Sequence, residues 1–317
     1  MKAVMLDWAT MGPDLDVSRM RALLPELEIY DETSDEEIAG RIAGAAIVLG
    51  NKVMISESLF AGAPEMRFIG LTATGTDNID LEAARRHGVA VANIRAYCSG
   101  SVAEHVFGCL LNLTHSLQGY AADVRGGAWQ AASNFCMLTR PISELSAMTL
   151  GIIGYGELGK RVARIGEAFG MKVIVAARPG SDIVSEGRVP FAALLADADV
   201  VSLHCPLTAA TRGLFGREEF RAMKRSAILI NTARGALVDS QALADALREG
   251  EIAAAAVDVL PQEPPVSGDP LLDYDGDNLM VTPHIAWGTL EARQAAVDEL
   301  TANIAAFLEG RERNRVV

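Results

Sequence analysis

The chain has 317 residues, half of them hydrophobic and 22% charged, with a formal net charge of −13. Such a length exceeds one typical core of about 100 to 150 residues, so two domains are expected, with enough apolar material for both. The acidic balance opposes nonspecific nucleic-acid binding and attachment to anionic lipid, so an anionic ligand must be held by local cations and backbone amides.

The chain reaches Asp7 after only a few apolar residues, which excludes a recognisable secretory signal. No apolar run approaches the roughly 20 residues of a membrane span. Cys98, Cys109, Cys136 and Cys205 are far apart and form no C-x-x-C pair, so neither a disulfide framework nor a thiolate metal site is expected. A cytoplasmic protein with reduced thiols follows. The remaining histidines, His87, His105, His115 and His204, read as helix, packing or strand residues, and no cluster has metal-ligand spacing.

Apolar runs at residues 2–6, 46–49, 68–73 and 89–92 read as buried strands. Helices are expected between them, one at 34–43 opened by the capping box Ser34-Asp35-Glu36-Glu37, another at 81–87 stopped by Gly88. This alternation implies a parallel sheet covered by helices. Residues 101–118 read as one long apolar helix, followed by a loop with Gly126, Gly127, Trp129 and Phe135. Two readings of this insertion stay open, an interdomain connector and a subunit contact.

A second series of strands is expected at 149–153, 172–176, 200–203, 227–230, 254–257 and 279–281, which makes a six-stranded doubly wound sheet. The last helix, 289–308, is expected to return to the first domain and to bury Val297, Leu300, Ile304, Phe307 and Leu308. The fold class is therefore α/β, with two doubly wound, Rossmann-like parallel-sheet domains and a cleft between them.

The first strand of the second series runs into Gly154-Tyr155-Gly156-Glu157-Leu158-Gly159, a G-x-G-x-x-G turn. Apolar Leu158, Val162, Ile165 and Phe169 then mark one face of a helix, whose N-terminus would face the phosphates of a dinucleotide. Gly154 suits the tight turn, Gly156 the close approach of pyrophosphate, and Gly159 the packing of helix on sheet. The competing reading is a helix–strand turn that needs glycine for its own backbone. Glu157 would repel pyrophosphate, so its side chain is expected to point outward.

In NAD-binding turns an acid about 20 positions on binds the ribose hydroxyls. Here Ala177 stands 18 residues after Gly159 and Arg178 follows. The missing carboxylate and the adjacent guanidinium favour a 2′-phosphate, hence NADPH over NADH. Against this, Asp182 is an alternative ribose contact and Arg178 an alternative solvated cation.

Three ionisable residues lie further on, Arg234, Glu263 and His284, at spacings of 29 and 21. A guanidinium can anchor a carboxylate or polarise a carbonyl, and an imidazole paired with a carboxylate can deliver a proton to the oxygen of a ketone under reduction. Each also has a plain alternative: an ion pair for Arg234, a solvated loop acid for Glu263, a structural histidine for His284. A buried carboxylate beside the imidazole would favour the catalytic reading, because it fixes the tautomer and favours the protonated ring.

Asn231-Thr232-Ala233-Arg234-Gly235, Asp258-Val259-Leu260-Pro261-Gln262-Glu263-Pro264 and Thr282-Pro283-His284-Ile285-Ala286-Trp287 resemble the signatures of the D-isomer-specific 2-hydroxyacid dehydrogenases, a likeness that runs almost end to end. Gly50-Asn51-Lys52-Val53, Thr74-Gly75-Thr76-Asp77-Asn78-Ile79-Asp80 and Ser101-Val102-Ala103-Glu104-His105 resemble that family's substrate-domain motifs. The glycine turn and the segment around His284 look most like its glycerate dehydrogenase and hydroxypyruvate reductase branch.

The resemblance implies a substrate domain of residues 1–98 plus 286–317, a dinucleotide-binding domain of residues 99–285, and a homodimer. It implies that the amides of Thr74 and Gly75 grip the substrate carboxylate, and that Asn51, Lys52 and Trp287 border the pocket. Cys205, Pro206, Thr232, Ala233 and Asp258 match positions lining the nicotinamide side. The expected substrate is a small 2-keto acid, hydroxypyruvate or glyoxylate, reduced by NAD(P)H to a D-2-hydroxy acid. Phosphoglycerate oxidation is a rival, set back because longer members usually carry a regulatory C-terminal domain. Formate-oxidising relatives characteristically have glutamine where this chain has Glu263. A dinucleotide-sensing corepressor is a rival of another class, against which no docking motif is recognised.

Overall fold

Apolar runs too short for a helix form the strands of two parallel sheets in the computed structural model, which describes residues 1–178 and 184–317. Asp182, the alternative ribose contact, lies outside the described residues. The chain divides into Met1–Cys98 with Gly288–Val317, and Ser99–Trp287.

The first unit runs β1 (Ala3–Met5), α1 (Ser18–Leu23), β2 (Leu27–Ile29), α2 (Asp35–Ile42), β3 (Ile47–Gly50), α3 (Glu57–Gly62), β4 (Phe68–Leu71), α4 (Leu81–Arg86) and β5 (Ala90–Ala92). All neighbours pair parallel, in the order β2-β1-β3-β4-β5. Strand β2 was not expected. Its Leu27-Glu28-Ile29 offers only two apolar residues, and Leu27 alone is buried, as befits an edge.

The start of α2 follows its sequence signal, with the Ser34 side chain and Glu37 satisfying each other's backbone amides. One face of the sheet packs Val4, Val48, Ile69 and Val91 against Ile38, Phe60 and Ala83. The C-terminal helix, Leu290–Leu308, covers β4. Gly70 makes that approach possible, because a Cβ there would lie 2.6 Å from Leu300 Cδ1. Phe307 stacks on Phe68 with centroids 4.6 Å apart. Leu308, expected to be buried, is 38% exposed, since it stands in the helix's final turn. After the helix, Val316 N donates to Val91 O and the tail bridges the edge of β5.

The second unit begins with α5 (Ser99–His115) and α6 (Leu117–Arg125). The single helix expected at 101–118 is thus broken, at Ser116, whose φ of +49° is left-handed. The series continues with β6 (Thr149–Ile153), α7 (Glu157–Ala168), β7 (Lys172–Val175), α8 (Phe191–Asp197), β8 (Val200–Leu203), α9 (Arg217–Ala222), β9 (Ile228–Asn231), α10 (Ser240–Glu249), β10 (Ala254–Val257) and β11 (Leu279–Val281). The sheet order is β11-β10-β9-β8-β6-β7, all parallel. A parallel bridge from Ala176 to Val189 extends it beyond β7.

Alternate residues of β8 feed opposite cores, Val201 and Leu203 with α8 to α10, Val200 with α5 and α7. Helices therefore cover both faces, and the strand order reverses between β6 and β8, where ligands collect outside the carboxyl ends of open α/β sheets. The buried stripe of α7 is Gly159, Val162, Ala163 and Gly166. Phe169, read from the sequence as part of that stripe, is 41% exposed and stacks on Phe107 of α5. Small residues carry the close contact, since a Cβ on Gly166 would lie 2.7 Å from Leu150 Cδ2.

Leu300→Ala removes a fully buried side chain from the sheet–helix contact and is expected to cost about 2–5 kcal/mol in urea unfolding. Leu308→Ala on the same helix is expected to stay within about 0.5 kcal/mol of the parent. Equal losses from the two would contradict the packing of this helix.

Candidate active site

The glycine turn lies between β6 and α7, at the point where the sheet reverses. Gly154 has φ +94°, and a Cβ there would sit 2.4 Å from the Cys205 amide nitrogen. A Cβ on Gly159 would sit 2.1 Å from Gly154 O. Both glycines are thus demanded by the fold itself. Gly156 differs: its φ of −77° suits any residue and a Cβ would meet nothing within 4 Å. Open space at the mouth of a helix N-terminus is what an approaching phosphate requires. Glu157 is exposed in the first turn and Leu158 is half-buried.

Across the reversal, His204, Cys205 and Pro206 leave the end of β8, tied to β6 by His204 N donating to Ile153 O at 2.7 Å. Cys205 is buried, which raises its thiol pKa. Burial holds the His204 imidazole down to about 3, a neutral ring whose Nε2 lies 2.9 Å from Ser202 Oγ. Two buried polar side-chain atoms among the described residues have no hydrogen-bond partner, His204 Nδ1 and Thr232 Oγ1. Both residues stand directly after adjacent strands, β8 and β9. Unpaired polar atoms are costly unless a ligand reaches them, so the turn and these strand ends fit a dinucleotide.

Past β9 the chain turns sharply at Asn231. Fully buried, its side chain accepts from Ala233 N at 3.1 Å and donates to Arg234 O at 3.0 Å. Arg234 Nη1 donates to Ala233 O at 2.8 Å. At Gly235 a Cβ would lie 2.0 Å from the carbonyl carbon of Leu260, so only glycine lets this turn pack against the loop that carries Glu263.

Glu263 is held at both oxygens. Oε1 accepts from Leu260 N at 2.9 Å, and Oε2 lies 2.7 Å from His284 Nδ1. An ionised carboxylate only accepts, so Nδ1 carries the hydrogen and Nε2 is the nitrogen that can exchange a proton with a ligand. The carboxylate is only partly buried: the side chains of Glu263 and His284 are 33% and 28% exposed. Its position in a loop rich in proline leaves it at the surface, and the tautomer is fixed by the direct bond instead.

His284 has φ +55°, a left-handed conformation that costs a residue with a Cβ about 1–2 kcal/mol. Its backbone is tied down on each side. His284 N donates to Asp258 O at 2.8 Å, and Trp287 Nε1 donates to His284 O at 2.9 Å. The Asp258 carboxylate, 2% exposed, accepts from Ile285 N and Ala286 N, each at 2.9 Å, and from Thr282 Oγ1 at 2.5 Å. Asp258 is thus a scaffold for the His284 segment as well as a residue at the end of β10.

Arg178 is exposed just after β7 and follows the buried Ala177. Sequence reasoning missed a second cation there. The Ala176–Val189 bridge brings back Arg188, whose Nη1 donates to Ala176 O at 3.1 Å and whose guanidinium lies 4.8 Å from the Tyr155 ring centroid in the glycine turn. No local motif marks it. His105, read with the other histidines as a helix, packing or strand residue, stands in α5 and joins a polar network, with Nε2 3.2 Å from Thr282 Oγ1.

Asn51, Lys52, Thr74 and Gly75 belong to the first unit. Asn51 and Lys52 follow β3, where the buried Asp7 carboxylate accepts from the amides of Asn51, Lys52 and Val53. The Asn51 side chain is itself buried and donates to Thr10 Oγ1 at 3.0 Å, which ties the loop after β3 to the segment at Thr10. Lys52 and Thr74 are exposed, and Thr74 O accepts from Asn93 Nδ2 at 2.7 Å. Among the described residues, no group of three His, Cys, Asp or Glu is placed to hold a metal ion, and no helix is long and apolar enough to cross a membrane.

Known proteins resemble this chain over most of its length. The family profile of the D-isomer specific 2-hydroxyacid dehydrogenase NAD binding domain matches residues 107–286. The chain is 44% identical over 293 residues to the glycerate dehydrogenase of Methylorubrum extorquens, covering 92% of each. With the hydroxypyruvate reductase of Blautia hydrogenotrophica it shares 37% over 317 residues, 98% of each. A solved protein from Thermus thermophilus superposes with a TM-score of 0.85 at 33% identity over the whole of both chains.

Gly156→Ala is expected to change stability by less than about 1 kcal/mol while raising the coenzyme Kd about tenfold or more. Gly154→Ala, at positive φ and against the Cys205 amide, is expected to destabilise by more than about 1 kcal/mol. Parental coenzyme affinity in Gly156→Ala would remove the turn from the coenzyme's path.

Proposed function

This chain belongs to the D-isomer-specific 2-hydroxyacid dehydrogenases, and from that membership we propose that it reduces hydroxypyruvate or glyoxylate to D-glycerate or glycolate. The observation that carries the reading is the 2.7 Å contact between Glu263 Oε2 and His284 Nδ1. It occupies Nδ1, leaves Nε2 as the nitrogen that exchanges the proton, and fixes the ring that carries it.

A bound reduced nicotinamide supplies the hydride. The chain's own residues do the rest. Arg234 binds the substrate's carboxylate and polarises its carbonyl, which makes the 2-carbon more electrophilic. His284 gives its Nε2 proton to the carbonyl oxygen as negative charge develops there, and takes it back when the alcohol is oxidised. Glu263 stabilises the doubly protonated ring before transfer and holds its orientation afterwards. Thr232, Ala233, Cys205, Pro206 and Asp258 line the nicotinamide side in this reading, with Trp287 bordering the substrate. Lys52 and the amides of Thr74 and Gly75 are assigned to substrate binding on the family resemblance.

The coenzyme preference follows from the end of β7. Ala177 offers no carboxylate to the ribose hydroxyls and Arg178 offers a guanidinium, which favours NADPH over NADH. A homodimer is proposed on the exposed apolar segment between α6 and β6, where Phe135 is 90% exposed and Leu138 79%. A cytoplasmic setting is proposed, where the four cysteines stay reduced.

His284→Ala is expected to keep coenzyme affinity and to lose about 10²- to 10⁴-fold in kcat. Near-parental turnover would take His284 out of the mechanism. A panel of 2-keto acids with both reduced coenzymes checks the rest: hydroxypyruvate and glyoxylate with NADPH should lead, and a kcat/KM favouring NADH by about tenfold or more would overturn the coenzyme preference. Tight coenzyme binding with no turnover on any acid would favour a sensor. Light scattering should find a particle of twice 33.6 kDa, and a monomer would refute the dimer.

A further inference from the structure

Helix α5 takes hold of the His284 segment at two points one turn apart. Ser101 Oγ donates to Ala286 O at 2.6 Å, and His105 Nε2 lies 3.2 Å from Thr282 Oγ1. Residues four apart share a helix face, so both contacts come from one side of α5. That helix is itself anchored, with Ala103, Val106 and Leu110 fully buried.

The hydrogens in this network can be placed by counting donors. The Asp258 carboxylate only accepts, so the single hydroxyl proton of Thr282 goes to Asp258 Oδ1, 2.5 Å away. Toward His105 the hydroxyl oxygen can then only accept, and His105 Nε2 must carry the hydrogen. The ring nitrogen also stands 3.8 Å from Asp258 Oδ1. Such a chain of donors strengthens each bond along it, and it ends on the carboxylate that holds the amides of Ile285 and Ala286. Those two residues directly follow His284 and its left-handed backbone.

We infer that His105 is a positioning residue for His284, acting through Thr282 and Asp258. This rests on the reading of His284 as the proton donor. Loss of the His105 N–H weakens the hold on the segment after His284, and a displacement of about 1 Å at a reacting group can cost about 100-fold in rate.

Variants of the full chain test it, by steady-state kinetics on the best 2-keto acid of the panel and by coenzyme titration through nicotinamide fluorescence. His105→Leu should lower kcat about 10- to 100-fold while KM and coenzyme Kd move by less than about threefold. His105→Gln, which restores an N–H, should recover to within about threefold of the parent. Combined with Thr282→Val, His105→Leu should lose no more than either change alone, as expected for members of one chain. A folded His105→Leu protein with kcat within about twofold of the parent, or His105→Gln no better than His105→Leu, would overturn the inference. If His105→Leu does not fold, Thr282→Val against Thr282→Ser decides in the same way: a loss in the first that the second restores supports it, and parental kcat in Thr282→Val overturns it. An inactive His284→Ala beside a fully active His105→Leu refutes this inference alone, whereas an active His284→Ala refutes the proton-donor reading.

Discussion

A carboxylate with almost no access to water persists in a folded core only where donors converge on it. Asp258 meets that condition with one hydroxyl and two backbone amides, all from the segment that begins at the end of β11. Two of those donors belong to the residues after His284. Satisfying one buried charge and holding the imidazole in an unfavourable backbone conformation are therefore the same requirement. If Asp258 were apolar, the amides would be left unpaired and the segment would have no reason to remain left-handed.

The same economy of means governs how the loops reach one another. Gly154 lets the β6–α7 turn nest against the end of β8, Gly159 lets α7 start close over Gly154, and Gly235 lets the Arg234 turn lie against Leu260. Each is a place where backbone touches backbone and a side chain is excluded. The result gathers residues from four successive strand ends, β6, β8, β9 and β10, on one edge of the sheet. Precision at that edge comes from the parallel ladder, since each loop leaves a strand whose register is fixed by both neighbours.

The central strands β6, β8, β9 and β10 could be read from the sequence because they are buried on both faces and so appear as mainly apolar runs. Edge strand β2 could not, since Leu27-Glu28-Ile29 is too short and half-polar to stand out. Periodicity misled at α7 for a related reason: glycine and alanine carry the packing there, and a hydrophobic pattern weights Phe169 above Gly166. Glu263 and His284 stand out through residue type and spacing, and the structure joins them. What the sequence hid were partners distant along the chain. His105 meets Thr282 across 177 positions, and nothing local to either residue announces it. Arg188 reaches Tyr155 only because a bridge at Val189 closes the loop after β7.

The first unit is assembled from two segments, Met1–Cys98 and Gly288–Val317, with the whole of Ser99–Trp287 between them. During synthesis at roughly 5–20 residues per second, strand β4 waits about 10 to 50 s for the helix that covers it. The intervening Ser99–Trp287 is continuous and can complete its own core first. Until Leu300 arrives over Gly70, the nascent chain carries an open apolar sheet face, and that interval is when a chaperone has most to protect.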